Sequence, residues 1–402
     1  MADVSADNDP IQDDPPQVTA GGPATGGVVR IDSETTVPHA ARRDRLRALL
    51  TGEGVQTLVV SDLINVRYLS GFTGSNAALL IDAAGPDDDR ICTDGRYITQ
   101  VGEQSPDLTA VIARDCAAEL VALAAEQAPV IGFEAHVVTV EQCERLRERL
   151  FDTRPEADLR GVGRLVEDLR MVKDPGEVEL LRMACQAADV ALAAIIERGL
   201  LAPGRTEREV ARALEWEMYA RGADEISFET IVAAGANSAV PHHRPTDAVL
   251  ASGDLVKIDF GAVVDGYHSD MTRTYVLDHA SEWQREIYEL VAEAQRAGRE
   301  ALSPGADLRA VDAAARDVID GAGFGDQYVH GLGHGVGLEI HEAPGIGKLA
   351  AGTLPERAAV TVEPGIYLPG RGGVRIEDTL VVTAAGHRPE LLTMTDKAFT
   401  IV

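Results

Sequence analysis

The chain of 402 residues is long enough for two or three domains, and 45% hydrophobic side chains are enough to fill their cores. A net charge of -28 leaves no basic surface for phosphate, which argues against nucleic acid or an anionic membrane as a partner. No apolar run reaches the ~18 residues of a membrane span, and the start, Met1 to Pro16, is acidic rather than signal-like. A cytoplasmic location is the expectation. Cys92, Cys116, Cys143 and Cys185 are widely spaced with no Cys-x-x-Cys pair, so they read as ordinary buried thiols rather than a disulfide scaffold or a structural zinc site.

Residues 1–36 are rich in Asp, Pro, Gly and Ala and poor in large apolar side chains, the composition of a disordered acidic tail. From Ala40 the pattern turns globular. A helix is expected over Arg42 to Thr51, strands over Thr57 to Ser61, Ala77 to Asp82 and Ile91 to Thr93, and a helix over Ala117 to Glu126. A strand over Val130 to Phe133 and a helix over Val140 to Leu150 follow, completing a small α/β domain over residues 37–165. Residues 65–74 and 93–97 read as polar and aromatic loops that could reach a neighbouring site.

A second domain, residues 166–402, has its first helix at Asp174-Pro175-Gly176-Glu177, where Asp can cap, Pro suits the first helical position and Glu follows three residues after the cap. That helix is expected to run to Arg198. An internal repeat then appears: at a constant offset of 101, Leu201, Pro203, Gly204, Val210, Ala213 and Gly222 superimpose on Leu302, Pro304, Gly305, Val311, Ala314 and Gly323. The domain reads as a duplication.

In the first copy, Leu255 to Phe260 and Tyr267 to Tyr275 read as two strands around an Asp265-Gly266 turn. Asp270 then lies opposite Gly261, two residues from Asp259, and both carboxylates project from one face. The second copy carries Val360 to Gly365 and Gly373 to Thr379, each with one acid, Glu363 and Glu377, in apolar company. Four carboxylates meeting across a pseudo-twofold axis cannot all ionise without cations. That favours metal over a proton-sharing dyad. His334, in an apolar loop flanked by Gly333 and Gly335, supplies an imidazole. An oxygen-rich set of this kind suits Mn²⁺, with Co²⁺, Fe²⁺ or Zn²⁺ as alternatives, and has ligands enough for two ions about 3.5 to 4 Å apart.

Asp259 in Ile-Asp-Phe-Gly, Asp270 in Ser-Asp-Met-Thr-Arg-Thr, His334 in Gly-His-Gly-Val-Gly, Glu363 in Val-Glu-Pro-Gly and Glu377 in Arg-Ile-Glu-Asp-Thr resemble, in order and context, the dinuclear metal ligands of the pita-bread metallopeptidases. The branch is that of Xaa-Pro aminopeptidases and Xaa-Pro dipeptidases (prolidases), and the chain is similar to actinobacterial cytoplasmic members. The resemblance implies an α+β fold class: a C-terminal pita-bread domain of two helix-plus-antiparallel-sheet halves, preceded by a creatinase/prolidase-like α/β domain. It further implies hydrolysis of the Xaa-Pro bond in short peptides by a metal-bridging hydroxide, and a homodimer.

By the same resemblance Asp259 chelates one ion, Asp270 and Glu377 bridge, and His334 and Glu363 complete the other, with Glu363 also acting on the nucleophilic water. His242, rather than its neighbour His243, corresponds to a substrate-side histidine, and His341 to a second one near the scissile bond. Arg375 shares a strand face with Glu377 and could bind a substrate carboxylate or pair with a ligand acid. Tyr367 is a further candidate for lining the pocket. The five ligands do not distinguish a dipeptidase from an aminopeptidase. A creatinase-like non-peptidase hydrolase, or a metal-free binding module of the same fold, is the alternative class.

Overall fold

The computed structural model describes residues 39–402; the acidic tail expected over 1–36 lies outside them. The N-terminal part begins with α1 (His39–Glu53), β1 (Thr57–Val60), α2 (Leu63–Ser70), β2 (Ala77–Asp82), β3 (Arg90–Thr93), α3 (Ile98–Gln104) and β4 (Thr109–Ile112). It continues through α4 (Cys116–Ala125), β5 (Val130–Glu134), α5 (Val140–Thr153), β6 (Asp158–Val162) and α6 (Leu165–Arg170). The six strands form one sheet in the order β4-β3-β2-β1-β5-β6. One face is covered by Leu120, Val121, Leu146 and Leu150 of α4 and α5. The other packs against α1 and α2 in a core that continues into the second domain through Leu180, Leu181, Tyr267 and Leu338.

Residues 65–70, read from sequence as part of a 65–74 loop, lie in helix α2. Asp62 caps it by accepting from the backbone N–H groups of Ile64 and Asn65, and Gly71 closes it at a φ of 79°. Asn65, the polar residue that made the stretch look exposed, is fully buried because it donates to Glu134 and Glu167 and accepts from Arg170. The short elements α3, β4, β6 and α6 also escaped the sequence reading, being too brief for a periodic signal.

The second domain opens with α7 (Pro175–Glu197), α8 (Glu207–Ala220), β7 (Glu225–Ile226) and β8 (Ile231–Ala234). Then come β9 (Leu255–Phe260), β10 (Ala262–Val264), β11 (Tyr267–His268) and β12 (Met271–Val276). After α9 (Glu282–Ala301) and α10 (Leu308–Gly321) follow β13 (Gly333–Gly335), β14 (Glu342–Ile346), β15 (Ala359–Val362), β16 (Gly365–Leu368), β17 (Gly372–Arg375), β18 (Asp378–Val381) and β19 (Glu390–Leu391). The start of α7 is the reciprocal cap the sequence indicated: Asp174 accepts from Glu177 N–H while the Glu177 carboxylate accepts from Asp174 N–H.

The duplication is visible element by element. Helix α10 repeats α8 at the same 101-residue offset, and the order β12-β9-β8 in one sheet is matched by β18-β15-β13 within the other. Gly204 and Gly305 hold φ values of 90° and 81°, a left-handed turn that only glycine enters without strain. Each donates its N–H to the segment that returns beside the helix start, Gly204 to Leu250 O and Gly305 to Leu354 O. Each half keeps its own apolar core, Val210, Leu214, Val232 and Ile258 in the first, Val311, Ile319, Val360 and Leu380 in the second.

The two long strands expected around Asp265-Gly266 are four shorter ones. The turn itself is present, with φ of 45° and 76° and Val264 paired to Tyr267. Beyond it the ladder breaks at Gly261 and Ser269-Asp270, then resumes with Phe260 opposite Met271 and Asp259 opposite Thr272. The break leaves Asp270 just outside β12, while Asp259 stays within β9.

Candidate metal centre

Asp259 leaves the middle of its half's sheet, and Asp270 sits at the entry of β12. Glu363 follows β15 and Glu377 precedes β18, the equivalent positions of the other half. All four acids and His334 line one cavity of about 390 Å³, together with His242 and His341. Asp259, Asp270 and Glu377 are buried. One ligand atom each from Asp270, His334 and Glu377 lies within 4.8 Å of the others. His334 Nε2 is 3.5 Å from Asp270 Oδ2 and 3.6 Å from Glu363 Oε1.

His334 lies in the short strand β13, not in a loop. Its flanking glycines are required by packing: a Cβ on Gly333 would stand 2.0 Å from Thr361 O, and one on Gly335 2.2 Å from Ala343 O. The ring's Nδ1 is 3.0 Å from Gly335 O, where it donates, so Nε2 faces the acids with its lone pair. Burial holds this imidazole down to about 4, in its neutral, metal-binding form.

The electrostatics are those of an uncompensated anionic cluster. Burial, then the charges of Glu377, Asp259 and Glu363, push Asp270 well above the usual carboxylate range. Glu377 is raised by burial and by Glu363 and Asp259. Burial lifts Glu363 to about 8 even though Arg375 opposes the shift. Thr272 donates to Glu377 Oε2 at 2.7 Å and aims it. Asp259 Oδ1 is buried without a hydrogen-bond partner, an expensive arrangement for a carboxylate oxygen unless a cation takes it. The donor set, its charge and this orphaned oxygen fit a divalent metal centre.

The histidines separate cleanly. His243 Nε2 is 2.8 Å from Glu207 Oε2, which occupies it inside the protein, whereas His242 is exposed on the cavity wall. His341 stacks edge-on against His334, with centroids 4.4 Å apart.

Of the two expectations for Arg375, the pairing with a ligand acid is present. The guanidinium is buried and donates to Thr272 Oγ1, to Pro241 O, to Tyr367 Oη and, in a short ion pair, to Asp259 Oδ2. Four of its five N–H donors go to protein acceptors, so it buttresses Asp259 while still lining the cavity. Tyr367 likewise stands behind the cavity, its hydroxyl between Arg375 and His330.

Sequence reading missed Lys257, fully buried, whose ammonium donates to Val240 O at 2.6 Å and Pro241 O at 3.1 Å and faces the Tyr367 ring. It also missed Phe228, Glu229, Ile231, Arg244 and Ile340 on the cavity wall. A lysine in the middle of an apolar strand, Val256-Lys257-Ile258, was the available signal for the first.

Two halves of one duplicated domain, each contributing acids to a shared cavity with a buried imidazole beside them, define a pita-bread metallohydrolase. The chain belongs to Metallopeptidase family M24, which residues 179–384 match, and residues 42–172 match the Creatinase/Prolidase N-terminal domain. It is 37% identical over 347 residues to the uncharacterized peptidase YqhT of Bacillus subtilis, covering 86% of this chain and 96% of that one. It is 46% identical over 224 residues to the Xaa-Pro dipeptidase of Pyrococcus furiosus, a stretch spanning 56% of this chain and 64% of that enzyme, less than two thirds of its length. Among solved structures, the Xaa-Pro dipeptidase from Bacillus anthracis superimposes with a TM-score of 0.83 at 35% identity over 90% of this chain and 100% of the other. The X-Pro aminopeptidase from Thermotoga maritima gives 0.78 at 32%, over 90% and 99%.

Proposed function

We propose that the chain hydrolyses the peptide bond before proline in dipeptides or short peptides with a free amino terminus, using two divalent ions, Mn²⁺ foremost. The observation that carries this reading is the single cavity lined by Asp259, Asp270, His334, Glu363 and Glu377, in a two-domain frame that superimposes on Xaa-Pro peptidases over 90% of this chain. Asp259, Asp270, His334, Glu363 and Glu377 would hold the ions. When bound, the ions supply Lewis-acid polarisation of the scissile carbonyl and activation of water.

The remaining work falls to side chains. Glu363 takes the proton of the attacking water and returns it to the proline nitrogen as the C–N bond breaks, yielding a free amino acid and a peptide that begins with proline, or proline itself. Neutral His341, held below its usual range by burial, donates to the developing oxyanion, and His242 addresses the substrate from the facing wall. Ile231, Ile340 and Phe228 give the pyrrolidine ring an apolar surface. The resemblance adds a homodimer, which light scattering would check.

Purified apoprotein should regain cleavage of Ala-Pro on addition of Mn²⁺ or Co²⁺. A metal-loaded but inactive protein would overturn the reading. Comparing Ala-Pro with Ala-Pro-Ala decides between dipeptidase and aminopeptidase, since only the latter accepts a third residue.

A further inference from the structure

Glu207, the first residue of α8, is completely buried, and its carboxylate collects five donors. Oε1 accepts from Ala234 N–H and Asn237 Nδ2, each at 2.9 Å. Oε2 accepts from His243 Nε2 at 2.8 Å, Thr246 N–H at 2.9 Å and Thr246 Oγ1 at 2.7 Å. These partners are the end of β8 and both sides of the loop that carries His242. The same loop is held from inside by Lys257, through Val240 O and Pro241 O, and by Arg375, through Pro241 O. His242 therefore sits between two fixed points, with Glu207 as the outer one.

A carboxylate at a helix start has a plain explanation in the helix dipole, and the duplication supplies an internal control for it. The position equivalent to Glu207, 101 residues on, is Leu308, buried and apolar. Both residues follow a capping side chain, Thr206 and Asp307, and both donate their N–H to the returning segment, Glu207 to Ala248 O and Leu308 to Gly352 O. One helix start folds on a leucine, so the other does not need a buried charge for its backbone. What differs is the neighbour: only the first half has the His242 loop to hold.

We infer that Glu207 is a positioning residue that fixes the His242 loop against the cavity. It touches no substrate and acts through His243 and Thr246. This rests on the proposed reaction only where turnover is read, so the test has two arms.

In the first arm, Glu207→Leu, which copies the second half, is compared with the parent by hydrogen exchange. Protection of Ala234 and Thr246 should fall by about 10-fold or more, with the equivalent segment 335–354 unchanged. Unchanged exchange at 234–248, or an equal loss in both halves, overturns the inference. In the second arm, kcat/KM on Ala-Pro should fall about 10- to 100-fold in the parent background but less than about 2-fold when His242→Ala is already present, because both changes remove the same wall. Equal losses in both backgrounds overturn it. Should Glu207→Leu fail to fold, Glu207→Gln keeps the volume and the bonds to Ala234 and Asn237 while turning an amide towards His243 and Thr246, so exchange is then read at Thr246, with Ala234 expected to stay protected. A parent that does not cleave Ala-Pro removes the proposed reaction, and the exchange arm still decides the anchor.

Discussion

Two clusters of buried charge lie at opposite ends of the His334 to Glu342 segment, and they are built on opposite principles. At the domain boundary, Glu342 meets Arg170 at 2.6 Å and Lys173 at 2.7 Å, and Arg170 also reaches Glu339 at 2.6 Å. Burial works against ionisation of Glu342, yet Lys173 and Arg170 more than offset it and hold the carboxyl down at about 2. In the cavity, Asp270 and Glu377 are buried and Glu363 is half-buried, but among the described residues the cation that opposes their upward shifts is Arg375, which is paired with Asp259, so all three are shifted upward. Buried acids with matched cations serve the fold; buried acids without them are waiting for something positive. The contrast even divides adjacent residues, because Asp378, beside Glu377, faces Arg273 and Lys397 and is shifted downward.

The contrast breaks most visibly if an acid of the cavity proves dispensable. Glu377→Ala or Asp270→Ala should abolish both metal binding, read by calorimetry, and turnover, a loss beyond the about 10- to 100-fold typical of outer-shell changes. Unchanged activity would remove the metal centre. At the boundary the expected loss is stability instead: Glu342→Leu strands buried Lys173 and leaves Arg170 with Glu339 alone, and should cost about 3–5 kcal/mol by urea unfolding. Replacing Arg170, Lys173 and Glu342 together by apolar residues should restore most of that loss.

Acid sharpens the same point. The folded state holds Glu342 at about 2, below its unfolded value near 4.5, so its contribution is complete above pH 4.5 and disappears as pH falls towards 2. A Glu342→Gln protein should lack this part of the acid limb, worth about 3 kcal/mol, in melts run across that range. The smallest effect belongs to the exposed pair between Arg67 and Asp265, 2.7 Å apart at the tip of the hairpin. Arg67→Ala should lower stability by less than about 1 kcal/mol, and a larger drop would mean that exposure is a poor guide to the worth of an ion pair here.

Much of this was legible in the linear chain because the signals are local. Capping boxes, the Asp265-Gly266 turn and the glycines at 204 and 305 each act through the backbone of a few residues, and the repeat of such signals at 101 residues exposed the duplication. Once the halves were aligned, the acids of one pointed to the acids of the other. Helix α2 was not legible, because a polar residue such as Asn65 reads as exposed until Glu134, Glu167 and Arg170 are known to surround it.

What the sequence determined by itself is the class of chemistry: which five side chains could hold metal, and that two copies of one unit must meet to assemble them. Only the tertiary structure decided the assignments between charged neighbours: Arg375 to Asp259, His243 to Glu207, Glu342 to Arg170 and Lys173. The physical reason is range. Backbone conformation is set by residues a few positions apart, whereas a buried charge takes the nearest counter-charge in space, and these pairs are separated by 36 to 172 positions along the chain.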